Sequence, residues 1–228
     1  MEKNKKRIRR IWWCVYLLAC LAAGICTAAF DLSTEMTVAL FLLLCLAAVL
    51  SWYVINLMWY RELNASVAAA APLLHSDPDR YIAELTRLLG NKKSPQLRAV
   101  YYINLCAAYC EKQDWLAARA QLDRLRPQSL SAPLRACWTA NRAYVGFYLG
   151  QNEAAHALLE KNAVLLQKQR IQPELNTLME VLEVFDLCGQ NQAEEAQRAL
   201  DILRKKKLPG LDSDIKELQK RLEQLNEK

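Results

Sequence analysis

This 228-residue chain has little glycine or histidine, and it has no recognisable catalytic motif. It holds only six glycines and two histidines, and no glycine-rich phosphate loop or nucleophile-elbow motif occurs in it. His75 and His156 stand apart from any nucleophile or metal-ligand motif. The sequence therefore predicts a protein that is not an enzyme and that carries no cofactor or metal.

Paired cysteine motifs are also missing. Eight cysteines occur, but no two have the Cys-x-x-Cys spacing that zinc and redox sites use. Cys106 and Cys110 are one helical turn apart, whereas Cys137 and Cys188 stand alone. Because free cysteine packs like a small hydrophobic residue, we interpret these four as buried thiols in a reducing compartment.

Two long apolar segments, residues 11–30 and 38–60, lie near the N-terminus. Each has about 20 residues, enough for a helix to cross a hydrocarbon core of about 30 Å. Only the short interval 31–37 separates them, so we predict a transmembrane helical hairpin. Neither segment holds Asp, Glu, Lys, Arg or His, which argues against a channel or transporter.

The distribution of charge predicts the orientation of this hairpin. The tail 1–10 is basic and the interval 31–37 has no basic residue, so both termini are expected in the cytoplasm. Aromatic residues expected at the membrane interface are Trp12, Trp13, Trp59 and Tyr60. The compact hairpin with its short outer loop favours a bacterial plasma membrane, and the tail, which accounts for most of the net charge of +6, suits anionic lipid.

Other interpretations of this region stay open at this point. Residues 1–30 resemble a secretory signal, and the residues before Cys20 resemble a lipoprotein cleavage box, although more apolar sequence follows in both cases. Asn64-Ala-Ser66 matches a glycosylation acceptor, which a cytoplasmic location would leave unused. Gly24 with Ala28, and Ala47 with Ser51, are small residues that let two helices approach closely.

The remaining chain reads as helices from end to end. Strand-like alternation is absent, whereas proline and N-cap residues recur before apolar stretches and glycine recurs after them. Helix starts are predicted at Asp77-Pro78, Ser94-Pro95, Asp114, Ser131 with Pro133, Asn152, Pro173 and Asp212-Ser213, and helix ends at Gly90, near Lys112, at Pro127, Gly150 and Gly189 and near Lys207. We predict an all-α protein with a juxtamembrane linker over 61–77 and a helical repeat domain over 78–228.

A short pattern repeats within this domain. Alanine followed one turn later by leucine occurs three times, at intervals of 37 and 41 residues: Ala118 and Leu122, Ala155 and Leu159, Ala196 and Leu200. Alanine fits where two helices cross closely, and the leucine fills the space beside it. Units of this kind stack into a solenoid with one continuous core.

These residues resemble the tetratricopeptide (TPR) repeat family over roughly residues 95–207. Gly150 stands in the turn before a second helix, and Tyr109 lies in a first helix where the family favours an aromatic. The chain departs from the family in a period longer than 34, a longer third turn, and Gly146 at a position where an aromatic is expected.

The resemblance implies a concave groove, lined by first helices, that holds a peptide or a partner helix. Asn104 and Asn141 each precede the repeat alanine by fourteen residues, where peptide-binding members often present asparagine, and Tyr144 and Tyr148 would flank the same surface. The third unit has Leu182 there, and the basic clamp of chaperone-binding members is not found. The alternative is that both asparagines cap local backbone or face solvent.

The C-terminal region ends in two features with alternative interpretations. The basic run 204–207 either complements a helix dipole or contacts anionic lipid. The stripe of Ile215, Leu218, Leu222 and Leu225 either caps the solenoid or pairs in a short coiled coil, and we favour capping.

Together these observations predict a membrane-anchored, non-catalytic scaffold or adaptor that presents a TPR-like domain to a protein or peptide partner. No concentrated basic face indicates nucleic acid, and no site for a small-molecule substrate is evident. The alternative is an accessory subunit of a membrane protein complex that associates mainly through its transmembrane helices.

Overall fold

The computed structural model describes residues 2–29, 33–90, 94–206 and 210–227, with the backbone alone at 2–9, 56, 59, 60 and 62–64. All regular elements in these ranges are α-helices, apart from one 3₁₀ turn at Pro127–Ser129, and they contain no strand. The prediction of an all-α chain is confirmed. The chain divides into two compact units, Met1–Ala69 and Ala70–Lys228.

Two helices form the first unit. Helix α1 covers Glu2–Ala29 and helix α2 runs from Thr34 to Ala70. The hydroxyl of Ser33 accepts a hydrogen bond of 3.4 Å from the Met36 N–H, so α2 begins inside the interval that was predicted as a loop. The stretches Arg10–Ala29 and Thr34–Ile55 are 20 and 22 residues long, and both are long and apolar enough to cross a membrane.

Side chains on α1 and α2 meet within this unit. The Trp12 indole N–H donates to the Ser51 hydroxyl at 3.0 Å, and the rings of Trp12 and Trp52 lie 5.5 Å apart. Ala23 is buried, whereas a Cβ added to Gly24 would meet nothing within 4 Å. Small residues therefore do face the neighbouring helix, but Gly24 with Ala28 is not the pair that does so.

The predicted interfacial aromatics have different surroundings. Trp12 packs between the two helices, while Trp13 is half exposed. The side chains of Trp59 and Tyr60 lie outside the described residues.

Ten helices are described in the second unit. They are α3 Leu73–Ser76, α4 Pro78–Leu89, α5 Pro95–Glu111, α6 Trp115–Asp123, α7 Ala132–Tyr148, α8 Asn152–Lys161, α9 Ala163–Gln169, α10 Pro173–Gly189, α11 Ala193–Lys205 and α12 Asp212–Asn226. Local sequence explains several starts: the carboxylates of Asp77 and Asp114 each accept a 3.0 Å bond from a first-turn backbone N–H, which caps α4 and α6.

Three helix–turn–helix units, α5–α6, α7–α8 and α10–α11, share one turn geometry. The turns are 112–114, 149–151 and 190–192, and the middle residues Gln113, Gly150 and Asn191 have φ of 58°, 72° and 58°. Each turn makes the same three backbone hydrogen bonds, as between the Asp114 N–H and the Tyr109 carbonyl at 2.9 Å. The prediction of a longer third turn was wrong.

The extra residues in the second repeat interval belong to a helix that the pattern did not predict. Helix α9 lies between α8 and α10, and its Leu166 is buried. This insertion accounts for the 41-residue interval, because the turn itself is unchanged. Two smaller differences are that α6 ends at Asp123 rather than near Pro127, and that much of 61–77 is helical, in α2 and α3.

From α7 onwards, each first helix packs against both helices of the preceding unit. Helix α7 contacts α5 and α6, α10 contacts α7 and α8, and α12 contacts α10 and α11. Helix α12 thus occupies the place of a fourth first helix. Its Leu218 and Leu222 are buried in the core of the same chain.

Candidate functional site: a cavity along the first helices

A cavity of about 930 Å³ lies along the first helices of the second unit. Its lining includes Cys110 and Glu111 from α5, Asn141, Tyr144 and Tyr148 from α7, Leu178 from α10, and Asp214, Glu217 and Lys220 from α12. Because each unit contributes its first helix, the repeated packing of the fold creates this surface.

Two tyrosines from α7 hold a carboxylate from α12 at the cavity wall. The Tyr144 and Tyr148 hydroxyls donate to the same oxygen, Asp214 Oδ1, at 2.6 and 2.5 Å. The residues are 66 to 70 positions apart in sequence. Short hydrogen bonds to a carboxylate are stronger than neutral ones, so they tie the end of the chain to the middle unit.

Aromatic rings surround this carboxylate. The Trp115 ring stacks on Tyr148 with centroids 3.8 Å apart and planes 12° apart. Tyr144 meets Tyr148 edge to face at 5.0 Å, and Phe185 lies 5.2 Å from Tyr148. Packing of this kind fixes the tyrosine rotamers and hence the direction of their hydroxyls.

Burial controls the electrostatics of the site. It raises the pKa of Asp214, although the hydrogen bonds from Tyr144 and Tyr148 act in the opposite direction. Burial, and then the neighbouring Asp214 charge, also raises the pKa of both tyrosines. The pKa of Cys110 is raised, first by its contact with Cys106 and then by burial. At neutral pH the tyrosines and Cys110 therefore remain protonated.

Arg221, two helical turns after Asp214, also fixes α12 in place. Its Nη2 donates to the Phe147 carbonyl at 2.9 Å, and its Nε donates to Glu217 at 2.9 Å. The guanidinium also lies 5.0 Å from the Phe185 ring centre, a favourable cation–π distance. The predicted capping stripe is thus reinforced by polar contacts that the sequence did not suggest.

The two predicted groove asparagines have different surroundings. Asn141 lines the cavity, and its Nδ2 donates to the Cys137 carbonyl at 2.8 Å. Asn104 Nδ2 likewise donates to the Val100 carbonyl at 2.8 Å, but its Oδ1 accepts from the Tyr81 hydroxyl at 3.2 Å. Asn104 is not among the lining residues, so the structure does not bring the two asparagines to one cavity.

No family matches. Neither a protein-family model, nor a curated protein, nor a solved structure is significantly similar to the chain.

The predicted repeat-packing residues lie where helices cross. Ala118, Leu122, Ala155, Ala196 and Leu200 are buried, and Leu159 is half-buried against the core cluster that contains Ala155, Ala196 and Leu200. At Gly146, where the resemblance implied an aromatic residue, an added Cβ would lie 3.3 Å from the Ala155 Cβ. Helices α7 and α8 therefore approach too closely at this point for a larger side chain.

Other residues singled out in the sequence have local roles. His156 Nδ1 lies 2.9 Å from Asp186 Oδ1 on α10. In the basic run, Arg204 contacts Gln219 at 2.6 Å and Lys206 pairs with Glu180 at 2.6 Å, while Lys207 falls outside the described residues. Within the described part of the chain, no group of three His, Cys, Asp or Glu side chains is placed to hold a metal ion.

The sequence did not indicate that Asp214 and Trp115 belong to this site. Asp214 follows the helix start predicted at Asp212-Ser213, and Trp115 follows the one predicted at Asp114. Nothing local in the sequence indicates that Asp214 reaches two tyrosines more than sixty residues away.

Proposed function

We propose that this protein is a membrane-anchored, non-catalytic scaffold or adaptor, whose TPR-like domain binds a protein partner in the cavity along its first helices. The single observation that carries the proposal is this cavity, since each of the three repeated units contributes to its wall. A groove of about 930 Å³ with mixed apolar and polar walls has the size and chemistry of a ligand site.

The TPR-like assignment rests on geometry as well as on the repeat alanines. Three units share one turn geometry, and the first helices α7 and α10 each pack on both helices of the unit before them. Such stacking is typical of helical-hairpin solenoids. The inserted α9 and the unpaired α12 distinguish this array from a regular one.

The anchor is proposed from the first unit. Its outward side chains are large and apolar, among them Leu17, Leu18, Leu42 and Leu43, each more than 60% exposed. An apolar surface this extensive is typical of contact with lipid or with other membrane helices. The basic tail and the absence of basic residues in 31–37 favour a cytoplasmic location for the repeat domain and both termini.

A tether makes a modest groove sufficient, because it raises the local concentration of a partner that is also at the membrane. The alternative function, a subunit that associates through its spans, predicts a different dependence on the first unit. The scaffold and subunit functions are distinguished by replacing residues 1–60 with an unrelated two-span anchor of the same orientation.

Affinity capture from detergent-solubilised membranes then compares the native and exchanged proteins. The scaffold proposal predicts that the partner is recovered with both. Loss of the partner with the exchanged anchor, with the protein still in the membrane, would favour the subunit instead. Protease protection of the C-terminus in sealed vesicles checks the orientation.

A further inference from the structure

Asp214 is a buried carboxylate without a cation. It is 6% exposed, and among the described residues its hydrogen-bond partners are the two neutral tyrosine hydroxyls, both at Oδ1. Burying a charge is costly unless it is paired. An asparagine would accept the same two hydrogen bonds at no such cost, so stability does not explain the charge here.

The second oxygen of this carboxylate is available. Within the described part of the chain no side chain donates to Asp214 Oδ2, and Asp214 lines the cavity. The tyrosines therefore orient the group through one oxygen and leave the other for an incoming donor.

The charges around Asp214 do not supply that donor. Glu111 pairs with His75 at 3.0 Å, and Glu217 pairs with Arg221 at 2.9 Å. Lys216 and Lys220 also line the cavity, but both are exposed, and neither forms an ion pair with any described residue. Lys216 and Lys220 are thus exposed to solvent, whereas the Asp214 carboxylate is buried.

We propose that the partner inserts a lysine or arginine side chain into the cavity, where its cationic group pairs with Asp214. This inference rests on the proposed function and names the chemistry of its partner: a polypeptide segment with a basic residue at one fixed position. A carboxylate oriented by two hydroxyls suits a guanidinium or ammonium. The charges are reversed relative to a basic clamp for a terminal carboxylate, because here the acidic group belongs to this protein and the basic group to its partner.

Selection from a random nonapeptide library tests this, with the full chain in nanodiscs as bait. Asp214→Asn is the informative variant, because its amide oxygen still accepts from the tyrosines. Asp201→Asn, an exposed residue of α11 away from the cavity, is the matched control. We expect the selected peptides to share one position that holds Lys or Arg. We expect Asp214→Asn to lower their binding affinity roughly 10- to 100-fold, and Asp201→Asn to leave it unchanged.

Replacing the shared basic residue of a selected peptide by leucine completes a double-mutant cycle. The effect of this peptide substitution on binding to the native protein does not depend on how any protein variant folds. We expect it to be as large as that of Asp214→Asn and to vanish in that variant. Peptides that bind without a basic residue, or equally well with Asp214→Asn, would overturn this inference but leave the groove intact. Selection of no peptide above the empty nanodisc would overturn the proposed function and this inference with it.

Discussion

Tyr148 donates a hydrogen bond of 2.5 Å to the carboxylate of Asp214, and this bond joins the middle repeat unit to the last helix. Tyr144 donates to the same oxygen at 2.6 Å. Helix α12 is consequently both the cap of the array and part of the cavity wall.

The pH dependence of stability tests the state of Asp214. Because burial raises its pKa in the folded protein, the folded state binds this proton more tightly than the unfolded chain does. Its contribution is thus most favourable below the unfolded pKa of about 3.9 and is lost as pH rises through the higher folded value. We expect the stability of Asp214→Asn relative to the native protein to increase from pH 3.5 to 7, measured by thermal unfolding in detergent. A relative stability that falls over this range would show that the pKa is lowered instead.

The repeat alanines mark close helix crossings. Ala155 is buried, and its Cβ would lie 3.3 Å from a Cβ on Gly146, so a larger side chain has no space there. We expect Ala155→Leu to lower the free energy of unfolding by about 1–3 kcal/mol. Ala157 on the same helix is exposed, and Ala157→Leu should change it by less than about 0.5 kcal/mol. Equal effects, measured by urea unfolding, would contradict the close crossing.

The equivalence of the turns predicts two substitutions of opposite sign. Gly150 and Gln113 occupy the same left-handed position, with φ of 72° and 58°. A side chain is disfavoured there by about 1–2 kcal/mol. Gly150→Ala should therefore destabilise the protein, and Gln113→Gly should stabilise it, in the same unfolding assay. A destabilised Gln113→Gly would mean that the glutamine side chain has a stabilising contact of its own.

The two asparagines should separate stability from binding. Asn104 joins α5 to α4 through Tyr81, so Asn104→Ala should lower stability by about 1 kcal/mol without reducing partner capture. Asn141 lines the cavity, so Asn141→Ala should reduce capture. Both side chains make the same 2.8 Å bond to the carbonyl four residues back, so each variant serves as the other's control for that contact. Loss of capture with Asn104→Ala alone would reverse the assignment.

Much of the fold could be predicted because its determinants are local. Asp77 and Asp114 cap helices through hydrogen bonds to backbone N–H groups three residues later in the sequence. Proline and glycine mark most of the remaining helix ends. The spacing of Ala118, Ala155 and Ala196 predicted the paired units. Helix α9 was not predicted, because the break at Asn162 carries neither proline nor glycine.

The site could be predicted only in part. Tyr144, Tyr148 and Asn141 follow from their register in a first helix, which is a periodic property. The position of Asp214 depends on how α12 packs against α10 and α11, and no local pattern encodes that packing. Asn104 has the right register, but its Oδ1 accepts a hydrogen bond from Tyr81 on the preceding helix α4.

Site-specific photo-crosslinking in intact cells tests the central claim most directly. A benzophenone side chain at Leu178 would lie in the cavity, whereas one at Leu116, which is 70% exposed on the second helix α6, would lie on another surface. We predict a discrete crosslinked protein from position 178 that is absent from position 116. The same product from position 116 alone, or from neither position while a probe in residues 11–30 yields one, would contradict binding in the groove.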